Sequence, residues 1–431
     1  MSNVGILAVN LATGVLVARS IGPGGRGDLA VLATLTQFTG WIAALGTNEG
    51  VAFLASKREE DIPRIVGTAL AFLAGLGLVG VVLAELALPL VLHAQHQSVI
   101  DTGRWFVLSV VLVLATSQLQ SLLGGSHDFA GMNVLRVLQP TGYLVGLVVL
   151  ALTVRLTVDE VLLASIASSV LALGVVGARF LRRVGVARPS REVARAALAF
   201  GIKVQGSLFG GLVNGRLDLL MMPAFLSVAT VGLYSVATNT AGILFALVGV
   251  LGQVVFPAAA RRGGAEGMRL VVRAGRITVG TAGAVALVLG VLAPWLLPLV
   301  YGDAFRGSAV PLQIMLPGVV LAATSQVLDA GLQATGRPGA ASICQLWGLV
   351  VTVVGLSVSL EPFGMDGAAT VTTLSYLTCF VAALVYLRRE PGFSVRALFS
   401  PRRFVADGLD VSRTLLRRRG TAPGPELSKV A

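Results

Sequence analysis

The chain has 431 residues, of which 55% are hydrophobic and only 13% charged, with a mean hydropathy of +0.85. A soluble domain carries roughly 25% charged residues, so the composition excludes an ordinary soluble globular protein. The net charge of +12 would suggest nucleic acid in a soluble chain, but here the basic residues lie between apolar runs and read as membrane topology.

A membrane-crossing helix needs about 20 mainly apolar residues. Candidate spans fall at 3–19, 29–54, 65–92, 104–124, 131–153, 159–180, 197–221, 228–258, 270–300, 308–333, 339–360 and 366–387, which predicts twelve. The first lacks a basic flank and a small-residue cleavage site, so it reads as a span and not as a cleaved leader. Loops after even-numbered spans, together with the tail, hold 26 Lys and Arg; loops after odd-numbered spans hold five, Arg19 and Arg26 among them. This asymmetry places both termini in the cytoplasm. Cys344 and Cys379 fall inside apolar runs and read as small core residues. No cofactor or metal is expected: His93 and His96 have no third ligand nearby, and Gly22–Gly27, although it satisfies G-x-G-x-x-G, follows a membrane span and not a strand.

The sequence also repeats. Ala115–Gln118 and Ala323–Gln326 both read ATSQ, 208 residues apart, and Gly131 and Gly339 share that offset. Gly27 and Gly232 match at 205, and Leu-Arg-Arg ends the sixth span of each half at 181–183 and 387–389. Two six-helix halves are therefore predicted: residues 1–180 and 197–387, joined by a basic linker (181–196) and followed by a basic tail (388–431) expected to be disordered. Because six is even, a pseudo-two-fold along the membrane normal should relate the halves, as in parallel-repeat transporters. The fold class is an all-α polytopic membrane protein.

Particular stretches carry a family resemblance. Ala18-Arg-Ser-Ile-Gly-Pro-Gly-Gly-Arg-Gly-Asp-Leu29 resembles the AR-x-LGP-x-G-x-G signature after the first helix of bacterial polysaccharide flippases. Arg216-Leu-Asp218, Val231-Gly-Leu-Tyr-Ser-Val-Ala237, Pro257, Tyr301-Gly-Asp-Ala-Phe305 and Gln333-Ala-Thr-Gly336 are similar to segments of their second half. The resemblance, over about 18–387, is to the multidrug/oligosaccharidyl-lipid/polysaccharide (MOP) exporter superfamily, Wzx-like branch. It implies a MATE/MurJ-like pair of bundles around a central cavity in the bacterial inner membrane. The implied cargo is an undecaprenyl-pyrophosphate-linked oligosaccharide, and the implied partners are membrane lipids and the polysaccharide polymerase and export machinery, with no nucleic acid. The chain departs from the pattern in its short first span.

Ionisable side chains inside spans cost about 2.5–3.5 kcal/mol each on insertion scales, which makes Glu49, Glu85, Lys203, Arg216, Asp218 and Asp329 candidates. On span seven, Lys203, Ser207, Asn214 and Asp218 recur at helical spacing as one polar stripe. The stripe faces either a cavity or a bonding seam between helices. Arg216 points elsewhere, to bind phosphate or to pair with an acid. Gln118 and Gln326, closing the two ATSQ copies, are candidates for sugar hydroxyls or for structural bonds; one turn on, Ser121 in the first copy corresponds to Asp329 in the second. Glu49 sits where Gly46–Gly50 interrupts span two, and Glu49 and Asp329 are candidates for ion coupling. Three alternatives stand beside a flippase: a cation-coupled multidrug exporter of the same fold, with an acid-lined cavity; a membrane glycan polymerase or ligase, which would need a large catalytic loop; and a transport-inactive scaffold. The chain is read as a transporter and not an enzyme.

Overall fold

Apolar runs of membrane-crossing length become helices because in hydrocarbon only bonding within the segment satisfies the backbone. The computed structural model describes residues 3–92, 95, 97–400, 404 and 407. Its helices are α1 (Asn3–Ala44), α2 (Thr47–Lys57), α3 (Ile62–Val91), α4 (Gln97–Phe106), α5 (Ser109–Gly125), α6 (Phe129–Thr153) and α7 (Val158–Val184). They continue as α8 (Arg191–Asn214), α9 (Leu217–Met221), α10 (Val228–Arg262), α11 (Gly264–Tyr301), α12 (Ala309–Ala334), α13 (Pro338–Leu387) and α14 (Val395–Leu398). Among the described residues there is no strand.

Among the described residues, eight helices are long and apolar enough to cross a membrane, and nine candidate spans result when the bent α4–α5 pair is counted as one. Two of the nine are double. The 42-residue α1 leaves helical geometry at Gly22 (φ 67°, ψ −173°), and the 50-residue α13 does so at Gly364 (φ 56°, ψ −137°). At 1.5 Å per residue each would otherwise run for about 60 Å or more, twice the hydrocarbon thickness. With these two divided and α8 added, the architecture is consistent with twelve crossings.

Two local expectations are corrected here. Residues 20–28 were read as a loop, yet only Gly22 leaves the helix. Pro23, with φ already set for a first helical turn, restarts it at once, so Arg26 is helical. Span seven was read as one continuous stripe; instead α8 stops at Asn214 and α9 begins at Leu217, with Arg216 at φ −147°, ψ 0° between them.

The packing divides the chain into two units. The first holds Met1–Thr240, Leu292–Met315 and Gly348–Thr372, and the second Ala241–Val291, Leu316–Trp347 and Thr373–Ala431. In the first unit, Val31, Leu32, Leu88, Val107, Leu147, Tyr234 and Leu360 are fully buried in one apolar cluster. A second cluster gathers Ile65, Leu123, Leu135 and Phe180. In the second unit the core is built on Val271, Val327, Leu328, Leu332, Cys344 and Ala383.

Glycines set the closest approach within the first unit. A Cβ on Gly27 would overlap the carbonyl oxygen of Val228 and lie 3.0 Å from the nitrogen of Gly232. Conversely, a Cβ on Gly232 would overlap the carbonyl oxygen of Pro23 and lie 2.9 Å from the nitrogen of Gly27. Positions 23 and 27 become 228 and 232 on adding 205, the offset of the sequence repeat. A contact in which i meets j as j meets i is what a two-fold axis produces. Gly46 and Gly201 likewise exclude each other's Cβ.

In the second unit, the described part of the tail is packed, where composition suggested disorder. Leu398 fits against Gly275, Phe399 meets Phe380 edge-on at 6.1 Å, and Glu390 pairs with Arg337 at 3.0 Å.

Candidate functional site: a basic cavity in the first unit

Arg26, Ala30, Ala33, Gln37 and Trp41 recur at steps of three and four along the second segment of α1, and all five line a cavity of about 620 Å³. That volume lies within the usual range for ligand sites, about 300–1,000 Å³. The facing walls come from α5 (Ser109, Ser117, Gln120), α6 (Gln139, Tyr143), α7 (Ser165, Ser169) and α10 (Ser235, Asn239). Arg216, in the break between α8 and α9, closes the ring. Among the described residues, Arg26 and Arg216 are the only charged ones lining the cavity, and none of the lining residues is a carboxylate.

The polar groups facing this space are available for a ligand. Among the described residues, the side chains of Arg26, Gln37, Gln120, Tyr143, Arg216 and Asn239 make no hydrogen bond or ion pair, and the Nε of Arg26 is buried without a partner. Buried polar groups are normally satisfied, and Arg26 Nε is the exception in this set; the other five side chains are half-buried or, for Gln37, exposed, and offer open hydrogen-bonding positions to a polar molecule. The hydroxyls differ. Thr34 donates to the carbonyl of Ala30 at 2.6 Å and Ser117 to that of Val113 at 2.6 Å. Their protons are engaged by the helix, which leaves oxygen lone pairs to accept from hydroxyl-bearing ligands.

Arg216 is positioned by its neighbour. Asp218 is buried, 5% exposed, and accepts from the Tyr234 hydroxyl at 2.5 Å and from the Leu219 amide at 2.8 Å. Tyr234 in turn lies 3.2 Å from the Thr372 hydroxyl. α9 and α10 thus meet on one carboxylate, α13 joins them through the Tyr234 hydroxyl, and the helix break that carries Arg216 is fixed. Tyr234→Phe should strand a buried carboxylate oxygen and cost about 1–3 kcal/mol, read as a lowered melting temperature in detergent.

The other sequence candidates are distributed differently. Gln118 is buried and donates to Thr47 Oγ1 at 3.4 Å; its neighbour two residues on, Gln120, lines the cavity instead. Gln326 is exposed, and so is Lys203. The side chain of Asn214 lies outside the described ones, as do His93 and His96. Glu49 is half-buried in the first turn of α2, directly after the left-handed pair Leu45 (φ 48°) and Gly46 (φ 72°). In the second unit, Asp329 accepts from Gln345 Nε2 at 3.1 Å, and Gln345 Oε1 lies 3.8 Å from Cys379 Sγ. Cys344 and Cys379 are both buried as free thiols, so a bulky maleimide is expected to modify them only after denaturation.

Sequence reasoning missed Arg26 by placing it in a loop. The signal was present in the helical spacing of Arg26, Gln37 and Trp41 through a supposed turn. Arg19, from the same signature, has another role: it donates to the carbonyl of Val300 at 2.8 Å and to that of Leu299, and so caps the C-terminal end of α11.

Comparison with known proteins gives the fold a context. The structure is similar to that of the lipid II flippase MurJ in an inward closed conformation (TM-score 0.78, 12% identity, covering 98% of this chain and 93% of that one). It is also similar to an inward-facing multidrug resistance MATE family transporter of the MOP superfamily (0.71, 16%, 96% of each chain). A third similar structure is a MOP superfamily transporter from Pyrococcus furiosus with a binding pocket of reversed polarity (0.55, 17%, 95% and 93%). No curated protein matches the chain. The family model described as "Polysaccharide biosynthesis protein" matches residues 1–262. This multi-pass membrane protein, with a fold shared by MATE and MurJ transporters, therefore belongs to the polysaccharide biosynthesis protein family.

Proposed function

We propose that the protein is a flippase that moves an undecaprenyl-pyrophosphate-linked oligosaccharide from the inner to the outer leaflet of a bacterial cytoplasmic membrane. One observation carries the reading: a cavity whose only charges, among the described residues, are two arginines without ion-pair partners there, surrounded by neutral hydrogen-bonding side chains. Moving an isolated charge into hydrocarbon costs tens of kcal/mol by Born estimates, so a diphosphate crosses only with replacement ligands. Guanidinium forks supply them. Gln37, Gln120, Gln139 and Asn239 offer amides to sugar hydroxyls, and Thr34 and Ser117 offer acceptors. Lys203, Asn214, Gln118 and Gln326 are further candidate contacts along the route, and Asp218 acts by holding Arg216.

Transport by alternating access between the two six-helix repeats, with both termini cytoplasmic, fits the charge asymmetry of the loops. A polysaccharide polymerase or export complex would take the product at the outer surface. The cation-coupled drug exporter is the competing reading. A site for lipophilic cations needs acids, whereas two unopposed arginines repel them. Asp329 and Glu49, away from this ring of residues, remain the candidates for coupling transport to an ion. The test is glycan export in cells that depend on this chain, comparing wild type with Arg26 and Arg216 variants at equal membrane abundance.

A further inference from the structure

We propose that Arg273 and Arg276 form an anion site for the phosphate of membrane lipid headgroups, and that Asp407 of the chain's own C-terminal segment occupies it. The site lies in the second unit and is independent of the cavity. Arg273 and Arg276 are three residues apart on α11 and share one face. The next 24 residues, Ile277–Val300, contain no ionisable side chain, so the pair stands where the apolar run meets the headgroup layer.

The site is already filled by an anion. Arg273 Nε lies 3.1 Å from Asp407 Oδ1, and Arg276 Nε lies 2.8 Å from Asp407 Oδ2, which Arg276 Nη2 also contacts. Arg276 Nη1 donates to the Ala397 carbonyl at 2.7 Å. The Arg276 side chain is only 9% exposed. Both guanidiniums engage the Asp407 carboxylate. A phosphodiester offers the same charge as Asp407 with a geometry both forks can engage.

The segment that brings Asp407 seats Leu398 on Gly275 and the Phe404 ring in the notch at Gly280. Residues 388–431 carry ten basic side chains against four acidic ones. An anionic bilayer acts twice: its phosphates compete for the arginine pair, and its surface attracts the basic residues of 388–431, at about 1 kcal/mol per basic residue near the surface. Free phosphate competes for the pair but offers no surface, so the lipid is the favoured source.

The experiment uses the full chain in neutral phosphatidylcholine nanodiscs, titrated with phosphatidylglycerol, with protein-bound phosphatidylglycerol measured by mass spectrometry. Asp407→Asn removes the internal competitor and should tighten phosphatidylglycerol binding roughly tenfold. Arg273→Gln, at the more exposed of the two arginines, should weaken it by a similar factor. A parallel titration with inorganic phosphate should displace phosphatidylglycerol only weakly. Equal phosphatidylglycerol binding by wild type, Asp407→Asn and Arg273→Gln would overturn the site; displacement by inorganic phosphate as readily as by added phosphatidylglycerol would overturn the lipid as its ligand.

Discussion

Replacing Arg26 with glutamine is expected to reduce glycan export roughly tenfold to a hundredfold, with insertion and abundance unchanged. Glutamine keeps much of the length and polarity and removes the charge. A hydrogen bond to a charged group contributes about 1.5–3 kcal/mol, which converts to that range at a factor of ten per 1.4 kcal/mol. Arg216→Gln should have an effect of the same size. Arg26→Lys should restore part of the loss, because an ammonium supplies the charge without the planar fork. Since Arg26 has no ion-pair partner among the described residues, its substitution leaves no orphaned acid; Arg216 also contributes a favourable charge near buried Asp218, so the Arg216 variant is compared at equal membrane abundance.

The second large effect is structural. Gly27→Ala puts a methyl group onto the carbonyl oxygen of Val228, and Gly232→Ala puts one onto that of Pro23. The obstacle in each case is backbone, which cannot rotate away, so each substitution should cost at least about 2 kcal/mol, toward the upper part of the range for overpacking. Both act on the same crossing. Once one methyl group has parted the helices, the second meets less resistance, and the double variant should be less destabilised than the sum of the singles. Melting temperatures of the four proteins of this cycle check the point. Additive losses would mean that the two glycines do not share one contact.

Periodicity and charge made most of the architecture legible in advance. The apolar runs gave the helices, and the offset of 205–208 marked as equivalent two glycines, 27 and 232, that the fold brings into reciprocal contact. Punctuation at the ends of spans misled. Ile21-Gly-Pro-Gly-Gly-Arg-Gly27 has the composition of a loop, but a single left-handed glycine followed by a helix-starting proline needs no loop. Arg26 was therefore assigned to an aqueous turn.

Span seven failed for the opposite reason. Its stripe was assembled by extending one helical period through Gly215 and Arg216, where the chain breaks. Arg216, expected to bind phosphate or to pair with an acid, lines the cavity, and Asp218, expected on a stripe facing a cavity or a bonding seam, is held by Tyr234 and the Leu219 amide. Periodicity within one segment cannot register a partner on another, and Tyr234 is 16 residues away. The ATSQ copies show the same limit: four identical letters place Gln118 against Thr47 in one repeat and leave Gln326 exposed in the other.

The most direct test of the central claim is equilibrium binding to the purified full-length protein of three ligands: a prenyl-diphosphate-linked oligosaccharide, the same glycan without the diphosphate, and a lipophilic cation. The account predicts that the diphosphate-linked glycan binds far more tightly than the other two, and that Arg26→Gln and Arg216→Gln each remove most of that advantage. Preference for the cation, or diphosphate binding indifferent to both arginines, would contradict it.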